Sequence, residues 1–441
     1  MPPTQSGYCV NCGYEQGFSQ GRVDWQSELA LSRGDSLAHL SLDARRDWVE
    51  SNANYLELFE AYGQTGLSLF GRPLTLAVGR QNVIWGEALL NPVNAIAGAQ
   101  APIDSSNGRG SVGYQAASRF LPVAQLSLTW QLADHLAFSF YQQGEWRRSR
   151  VDPHDAYAGA ADSLGADAND VIAYPLQRYP YRLYYYRAEG AKPDGWDQFG
   201  AALKFHVADA DLGLYALSFD AKSPTIALAP ADRSYSLNYA KAIGLIGASV
   251  SLPVEENSLA GEISARHRMP LVSGGVFPAY ESDFGPRGDT LQGQISLTRA
   301  IAPQTLLPGG ASWSTELAAN HLIGFTDDGV ALAPGRTRTA ASLRTVLTAQ
   351  FYQLLPRFDL SLPVSLGYNF YGLSPVLAEM NRGTGDLGVG ANLSLDQRWN
   401  LSFGFTHYFG GDKIPETPFG GVYGGRLSHW DEASASLTWA W

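Results

Sequence analysis

Apolar and polar residues alternate one by one through most of this chain. Near its end, Ala435, Leu437, Trp439 and Trp441 fall on one side of an extended segment, and Ser434, Ser436, Thr438 and Ala440 on the other. The same period of two places Leu126, Leu128, Trp130 and Leu132 opposite Gln125, Ser127, Thr129 and Gln131. It recurs at Leu74–Val78, at Leu136–Tyr141, and at Leu291, Ile295 and Leu297. Leu360–Leu366, Leu387–Leu395 and Leu401–Phe405 repeat it towards the carboxy end. These runs last about ten residues, the length of a tilted membrane strand, where strands of soluble sheets usually have about five or six. The pattern predicts strands with one row facing lipid and the other facing a lumen.

The connections alternate as well. Leu132–His135, Val207–Asp211 and Leu395–Trp399 read as tight turns, whereas 87–118, 147–196, 269–289, 324–336, 371–383 and 410–429 are long and rich in Gly, Pro and Asp. Trp85, Trp146, Trp196 and Trp430 stand at loop ends and Trp130, Trp399 and Trp441 at turn ends, as two aromatic girdles would. The expected fold is therefore all-β: a transmembrane antiparallel β-barrel with short periplasmic turns and long extracellular loops. Residues 22–441 form a single barrel domain, after an amino-terminal segment, 1–21. Counting back from a last strand that descends to the periplasm, with 231–251 as one long strand, gives an odd total of about 17 from Arg22 onward. Bacterial single-chain barrels normally have even totals. The expectation is 16–18 strands with 18 favoured: either residues 6–18 supply one more, or an upstream strand does, or one segment has been split in two.

Composition agrees with this picture. Only 17% of the 441 residues are charged, against about 25% in soluble domains, while Tyr numbers 22 and Trp 11. No apolar run approaches the roughly 20 residues of a transmembrane helix. The net charge of −11 argues against nucleic acid as a partner. The start, Met1-Pro-Pro-Thr-Gln5, lacks the basic and apolar regions of a signal peptide, which predicts a mature form or a truncated start. Cys9 and Cys12 are expected to pair as a surface disulfide in an exported chain. Zinc or redox chemistry would need further ligands or a thioredoxin-like setting, and no cofactor or metal is expected.

The functional candidates are ionisable residues on the lumen-facing rows: Asp24, Glu28, His39, Asp43, Arg45, Lys204, His206, Glu262, Arg266, Arg268 and Arg344. Opposed acidic and basic rows would set up a transverse field that orients solutes; the alternative is that they hydrate the wall and pair with one another. Arg80 and Glu87 flank Trp85, either as a rim ion pair or as part of a constriction. The following stretch, 88–118, is long enough to fold inward, and Ile96, Ala97, Ala99, Ala101, Pro102 and Ile103 make it apolar for a solvated loop. It would then form an eyelet, or else pack on neighbouring strands. Tyr181, Tyr184, Tyr185 and Tyr186 would stack aromatic or sugar-like solutes, or form the girdle of a strand rising above the membrane. An enzyme is not expected. His39 and Asp43 lie about 13 Å apart along a strand, beyond direct contact, and no Gly-x-Ser-x-Gly elbow occurs.

Gly79-Arg80-Gln81, Trp85-Gly86-Glu87 and Asn91-Pro92 resemble a signature of several large barrels, alginate-export porins among them. Leu121-Pro-Val123, Phe140-Tyr-Gln142, Glu145-Trp-Arg147, Asp152-Pro153 and Gly372-Leu-Ser-Pro375 resemble, more specifically, a domain-of-unknown-function family of proteobacterial outer-membrane barrels. The resemblance covers about residues 22–441 and implies outer-membrane lipid and lipopolysaccharide as surroundings. It also implies, as partners, the barrel-assembly machinery, engaged through the strand ending at Trp441, and an exporter system, since such genes often neighbour resistance-nodulation-division-type exporters. The expected function is passive passage of small-molecule solutes, with a lean towards aromatic or hydrophobic organic compounds. The alternatives are a plugged surface barrel that binds a partner, and an outer-membrane hydrolase.

Overall fold

In a computed structural model that describes residues 21–48, 54–105, 112, 120–150, 171–175, 182–229, 231–272, 286–326, 332, 335–377, 380–410 and 431–440, the alternating runs are strands. The first are β1 (Arg22–Arg33), β2 (Ser36–Asp47), β3 (Tyr55–Leu69), β4 (Arg72–Gln81), β5 (Val123–Ala133) and β6 (Leu136–Gln143). Next come β7 (Val171–Pro175), β8 (Arg182–Arg187), β9 (Phe199–Val207), β10 (Ala210–Phe219), β11 (Thr225–Ala229) and β12 (Ser234–Asn238). The remainder are β13 (Ile243–Val254), β14 (Asn257–Pro270), β15 (Arg287–Ile301), β16 (Ala311–Phe325), β17 (Thr339–Leu355), β18 (Phe358–Tyr371), β19 (Gly385–Leu395), β20 (Trp399–Phe409) and β21 (Glu432–Trp439). A single helical turn, α1 (Ala97–Gln100), lies between β4 and β5.

Seventeen strands join one antiparallel sheet in which each pairs with its neighbours in the chain, once β7, β8, β11 and β12 are set aside. Those four make a second small sheet, in which β8 and β12 pair in parallel and tie the β6–β9 connection to the β10–β13 connection. Short turns gather at one end of the large sheet. At the β19–β20 turn, Asp396 and Gln397 both have positive φ, 52° and 59°, the backbone twist that suits a tight hairpin. Every connection longer than ten residues lies at the other end.

Register fixes the faces. Ile295 is 58% exposed while Gln294 and Ser296 on either side of it are buried. Leu317 of β16 lies directly opposite Ile295 and is exposed too. Leu387, Val389, Leu401, Phe403, Phe405 and Leu437 continue this exposed apolar belt over β19–β21. In water such a surface would drive aggregation; in a bilayer it is the solvated face. The chain is a β-barrel of the outer-membrane kind. The sheet wraps around its polar face, because the one segment 82–105 touches β6, β10, β13, β14 and β16 at once.

Three sequence expectations change. Residues 231–251 are not one strand: β12 belongs to the small sheet, and a link through Ala242 at φ 53° separates it from β13. Trp85 is not a girdle residue, because it is 4% exposed and points inward. Arg268 leaves the lumen row of Glu262 and Arg266 at a bulge, where the β14–β15 register shifts and its φ is 60°. The described strands of the large sheet number seventeen; β1 starts at the loop end and β21 finishes at the turn end, so both run the same way. The strand expected from residues 6–18, the Cys9–Cys12 pair and Trp441 lie outside the described residues.

Ile295→Arg, on the lipid face, should lower the unfolding free energy by about 2–4 kcal/mol, and Ser402→Arg, on the lumen row, by less than about 1 kcal/mol. Urea titration in phospholipid vesicles, followed by heat-modifiable gel mobility, measures both.

Candidate functional site: a loop folded across the lumen

Beyond Gln81 the chain turns into the barrel. Trp85 packs edge-on to Tyr141 of β6 at 5.0 Å between ring centres and stacks on Tyr215 of β10 at 5.9 Å. Ile96, with no exposed surface, joins the same cluster with Leu217, Phe219, Ile243 and Leu245. These apolar side chains lie on lumen-facing rows of β10 and β13, where an open aqueous wall would carry polar residues. Covering them removes apolar area from water, and a buried Trp or Ile contributes about 1.5–3 kcal/mol.

A loop buried in this way must also satisfy its backbone N–H groups. Two glutamates of the opposite wall do so. Glu262 of β14 accepts from the Glu87 N–H at 2.6 Å and the Ile96 N–H at 2.8 Å. Glu316 of β16, fully buried, accepts from the N–H groups of Leu89 (2.7 Å), Leu90 (3.2 Å) and Asn91 (2.6 Å), and from the Asn91 side-chain amide at 2.8 Å. In the sheet, β16 stands eight places from β4, the strand that launches the loop. Hydrogen bonds to an ionised carboxylate contribute about 1.5–3 kcal/mol each. Arg266 neighbours Glu262 on the same row and donates to the carbonyls of Asn94 (2.9 Å) and Ala95 (2.8 Å). Gly86 has φ 89°, and a Cβ there would sit 2.2 Å from Glu262 Oε2. Only glycine allows this approach.

The tail of the loop is anchored on β3. Asp104 pairs with Arg150 at 2.8 Å, and Glu57 forks between Arg150 (2.6 Å) and Arg147 (2.5 Å). The guanidinium groups of Arg45 and Arg150 lie 5.2 and 4.2 Å from the centre of the Tyr55 ring, and Arg45 pairs with Asp24 at 2.6 Å. A second connection, between β18 and β19, also turns inward. Leu377 and Met380 pack on Ala318 and Ala340, and Ser374 Oγ donates to Asn320 Oδ1 at 2.8 Å. The Asn320 amide in turn reaches Asn94 Oδ1 at 3.4 Å, joining the two inward loops.

The structure thus gathers Glu262 and Arg266 at the loop seat and Arg45 at its far anchor. Arg80 pairs with Glu145, not Glu87. The Glu87 carboxyl instead faces Ser249 and Lys204. Arg344 lies opposite Glu316 in register but reaches over Gly367 to Asp386 at 3.3 Å. His39 meets Glu28 (3.5 Å) and Glu60 (3.2 Å) and stacks on Tyr62; no bond joins it to Asp43. Asp43 is register partner to Glu57. His206 pairs with Asp211 near the β9–β10 turn, away from the loop. Arg268 is exposed on its bulge. Tyr185 is buried and Tyr186 is 57% exposed on β8; Tyr181 and the side chain of Tyr184 lie outside the described residues.

Sequence reasoning missed Glu316, Glu57, Asp104, Arg150 and Lys222. Glu316 carried a signal, as a lone acid on the inward row of an apolar-alternating strand. Lys222 carried none. Its ammonium is buried beyond the end of β10 and donates to Gln198 Oε1 (2.5 Å), the Asp220 carbonyl (2.9 Å) and the Ala99 carbonyl of α1 (3.4 Å).

The sequence matches, over residues 15–440, the model of a family described as "Protein of unknown function (DUF1302)". No curated protein sequence matches the chain. Among solved structures, OccD3 (OpdP) of Pseudomonas aeruginosa is 10% identical with a TM-score of 0.43, over 91% of this chain and 83% of that one. OccK2 (OpdF) of the same organism, in complex with glucuronate, is 11% identical with a TM-score of 0.40, over 88% of each chain. The outer membrane channel DcaP of Acinetobacter baumannii is 11% identical with a TM-score of 0.39, over 79% of this chain and 80% of that one. At this distance no solute transfers from any of them.

Glu316→Gln should leave the strands in place and free the loop. Hydrogen exchange at the Leu89, Leu90 and Asn91 amides is expected to quicken at least tenfold, roughly the loss of one charge-assisted bond. Burial pulls the Lys222 amine from 10.5 down to about 7. Between those values the unfolded chain holds the extra proton, so stability should rise with pH across that window. Lys222→Met should flatten the rise in urea titrations spanning it.

Proposed function

The chain belongs to the DUF1302 family of proteins of unknown function, and we propose that this member is an outer-membrane channel for passive passage of small solutes, with the 82–105 loop as its constriction. The observation that carries this reading is the seating of the loop on the far wall by Glu262 and Glu316. A segment that crosses the lumen and is bonded at both ends sets the width of whatever passes beside it. The wall beside it keeps ionisable groups, among them Glu28, Lys204 and the Arg344–Asp386 pair, as a hydrated route requires.

The constriction is not purely polar. Ile84 and Val93 are 37% and 38% exposed on the loop. This apolar edge favours aromatic or hydrophobic organic solutes that carry a polar group for the hydrated wall.

The second reading is a plugged barrel presenting its small extracellular sheet to a partner, an export system among them. It draws on Val112, which follows the constriction loop in the chain and lies against Gly388 and Gly390 of β19, across the lumen. Planar-bilayer recording separates the two. A channel gives ohmic steps, and Glu262→Gln/Glu316→Gln should raise their conductance about twofold and add current noise as the loop leaves its seat. Silence from a correctly folded, heat-modifiable barrel, persisting in the double variant, would sink the channel and favour the plug.

A further inference from the structure

Strand β18 carries a proline in its interior. Pro363 lies on the lumen-facing row and is buried. Towards β17 the ladder is continuous, with Thr348 opposite Pro363 and Ala349 opposite Leu362. Towards β19 it is not. Pairing runs from Phe358↔Leu395 to Ser361↔Asn392 and resumes at Val364↔Val389, leaving Leu362–Pro363 and Gly390–Ala391 unpaired. Proline has no N–H to give. In a bilayer a missing ladder bond is costly, because no water replaces it, and proline is normally confined to sheet edges and bulges.

Side chains on both faces of this gap are small or apolar. Inside, the next two lumen-row positions of β19 are Gly388 and Gly390, with the apolar Val112 lying over both; a Cβ on Gly390 would sit 3.1 Å from Pro363 Cγ. Outside, Leu362 and Ala391 stand on the lipid-facing row and carry no polar side-chain atoms. A charged solute in this gap would lose its hydration with nothing to replace it, whereas apolar surface gains about 25 cal/mol per Å² on leaving water. At these two positions no backbone pair has to break first; a wider opening then separates the pairs on either side, Ser361↔Asn392 and Val364↔Val389.

We propose that the β18–β19 seam at Pro363–Gly390 is a lateral opening through which uncharged aromatic solutes move between the lumen and the bilayer core. The inference rests on the channel reading, since the lumen must first admit the solute, and it supplies that channel's apolar exit.

Ser361 and Asn392 flank the gap as direct partners, their side chains 3.3 Å apart, so Ser361→Cys/Asn392→Cys in a Cys9→Ser/Cys12→Ser background staples the seam. The full chain would be reconstituted in asymmetric vesicles with a lipopolysaccharide outer leaflet. Pyrene is added outside, and its entry into the bilayer is followed by excimer emission, with ionic current recorded in parallel. Oxidising the staple should slow protein-dependent pyrene entry about tenfold, equivalent to about 1.4 kcal/mol on the opening step. Current should stay unchanged, and reduction should restore entry. Pro363→Val, which returns an N–H to the ladder, should slow entry without a cross-link. Entry indifferent to both changes, or falling only in step with current, overturns the lateral route. No current and no protein-dependent pyrene entry from the folded protein would defeat the channel reading, and the seam with it; current with entry indifferent to the staple would defeat the seam alone.

Discussion

An ordered loop in the middle of a wide barrel has to give each of its backbone N–H groups an acceptor, and here the acceptors are carboxylates planted on the opposite wall. Glu316 alone gathers three consecutive N–H groups and a side-chain amide, and Glu262 gathers two more from either side of the intervening turn. The apolar contacts of Trp85 and Ile96 give the loop its depth, but hydrophobic burial has no direction. The carboxylates supply direction, and with it the position of the loop relative to the far wall. The wall's own architecture follows from the same demand for acceptors, met there by neighbouring strands.

The lumen is consequently uneven around its circumference. Over β6–β16 the inward row in the extracellular half is covered by the loop and is largely apolar or bonded to it. Over β17–β19 and β1–β3 it keeps ionisable groups in pairs, such as Arg344 with Asp386 and Asp24 with Arg45. On the channel reading proposed above, a solute beside the loop meets an apolar edge on one hand and a wall of compensated charges on the other. Compensation matters, because paired charges hydrate a wall without holding a solute of either sign tightly.

Period-two alternation made the sheet legible from sequence: Ile295 and Leu317, Leu387 and Val389, and Phe403 and Phe405 point outward as the pattern requires. Loop and turn lengths fixed which end is which. Local exceptions broke the reading. A bulge at Arg268 moves it off the row that alternation assigns, and a left-handed residue at Ala242 splits what looked like one strand. Trp85 sits where a girdle tryptophan would, and only its tertiary neighbours show that it turns inward. The inward fold of the loop was legible as a possibility, from length and from its run of small apolar residues. Its seat was not. Glu316 lies 225 residues beyond Asn91, and nothing local to either announces the other.

That separation has a consequence for how the molecule comes into being. The large sheet is a simple meander, every strand beside its predecessor, so most of its contacts are short in sequence and can form hairpin by hairpin. The bonds that seat the loop span 166 to 227 residues and cannot exist until β14 and β16 have taken their places. Whichever end of the wall is laid down first, the loop stays unseated until both halves are in place. The position of the loop is a property of the two halves together and belongs to neither alone.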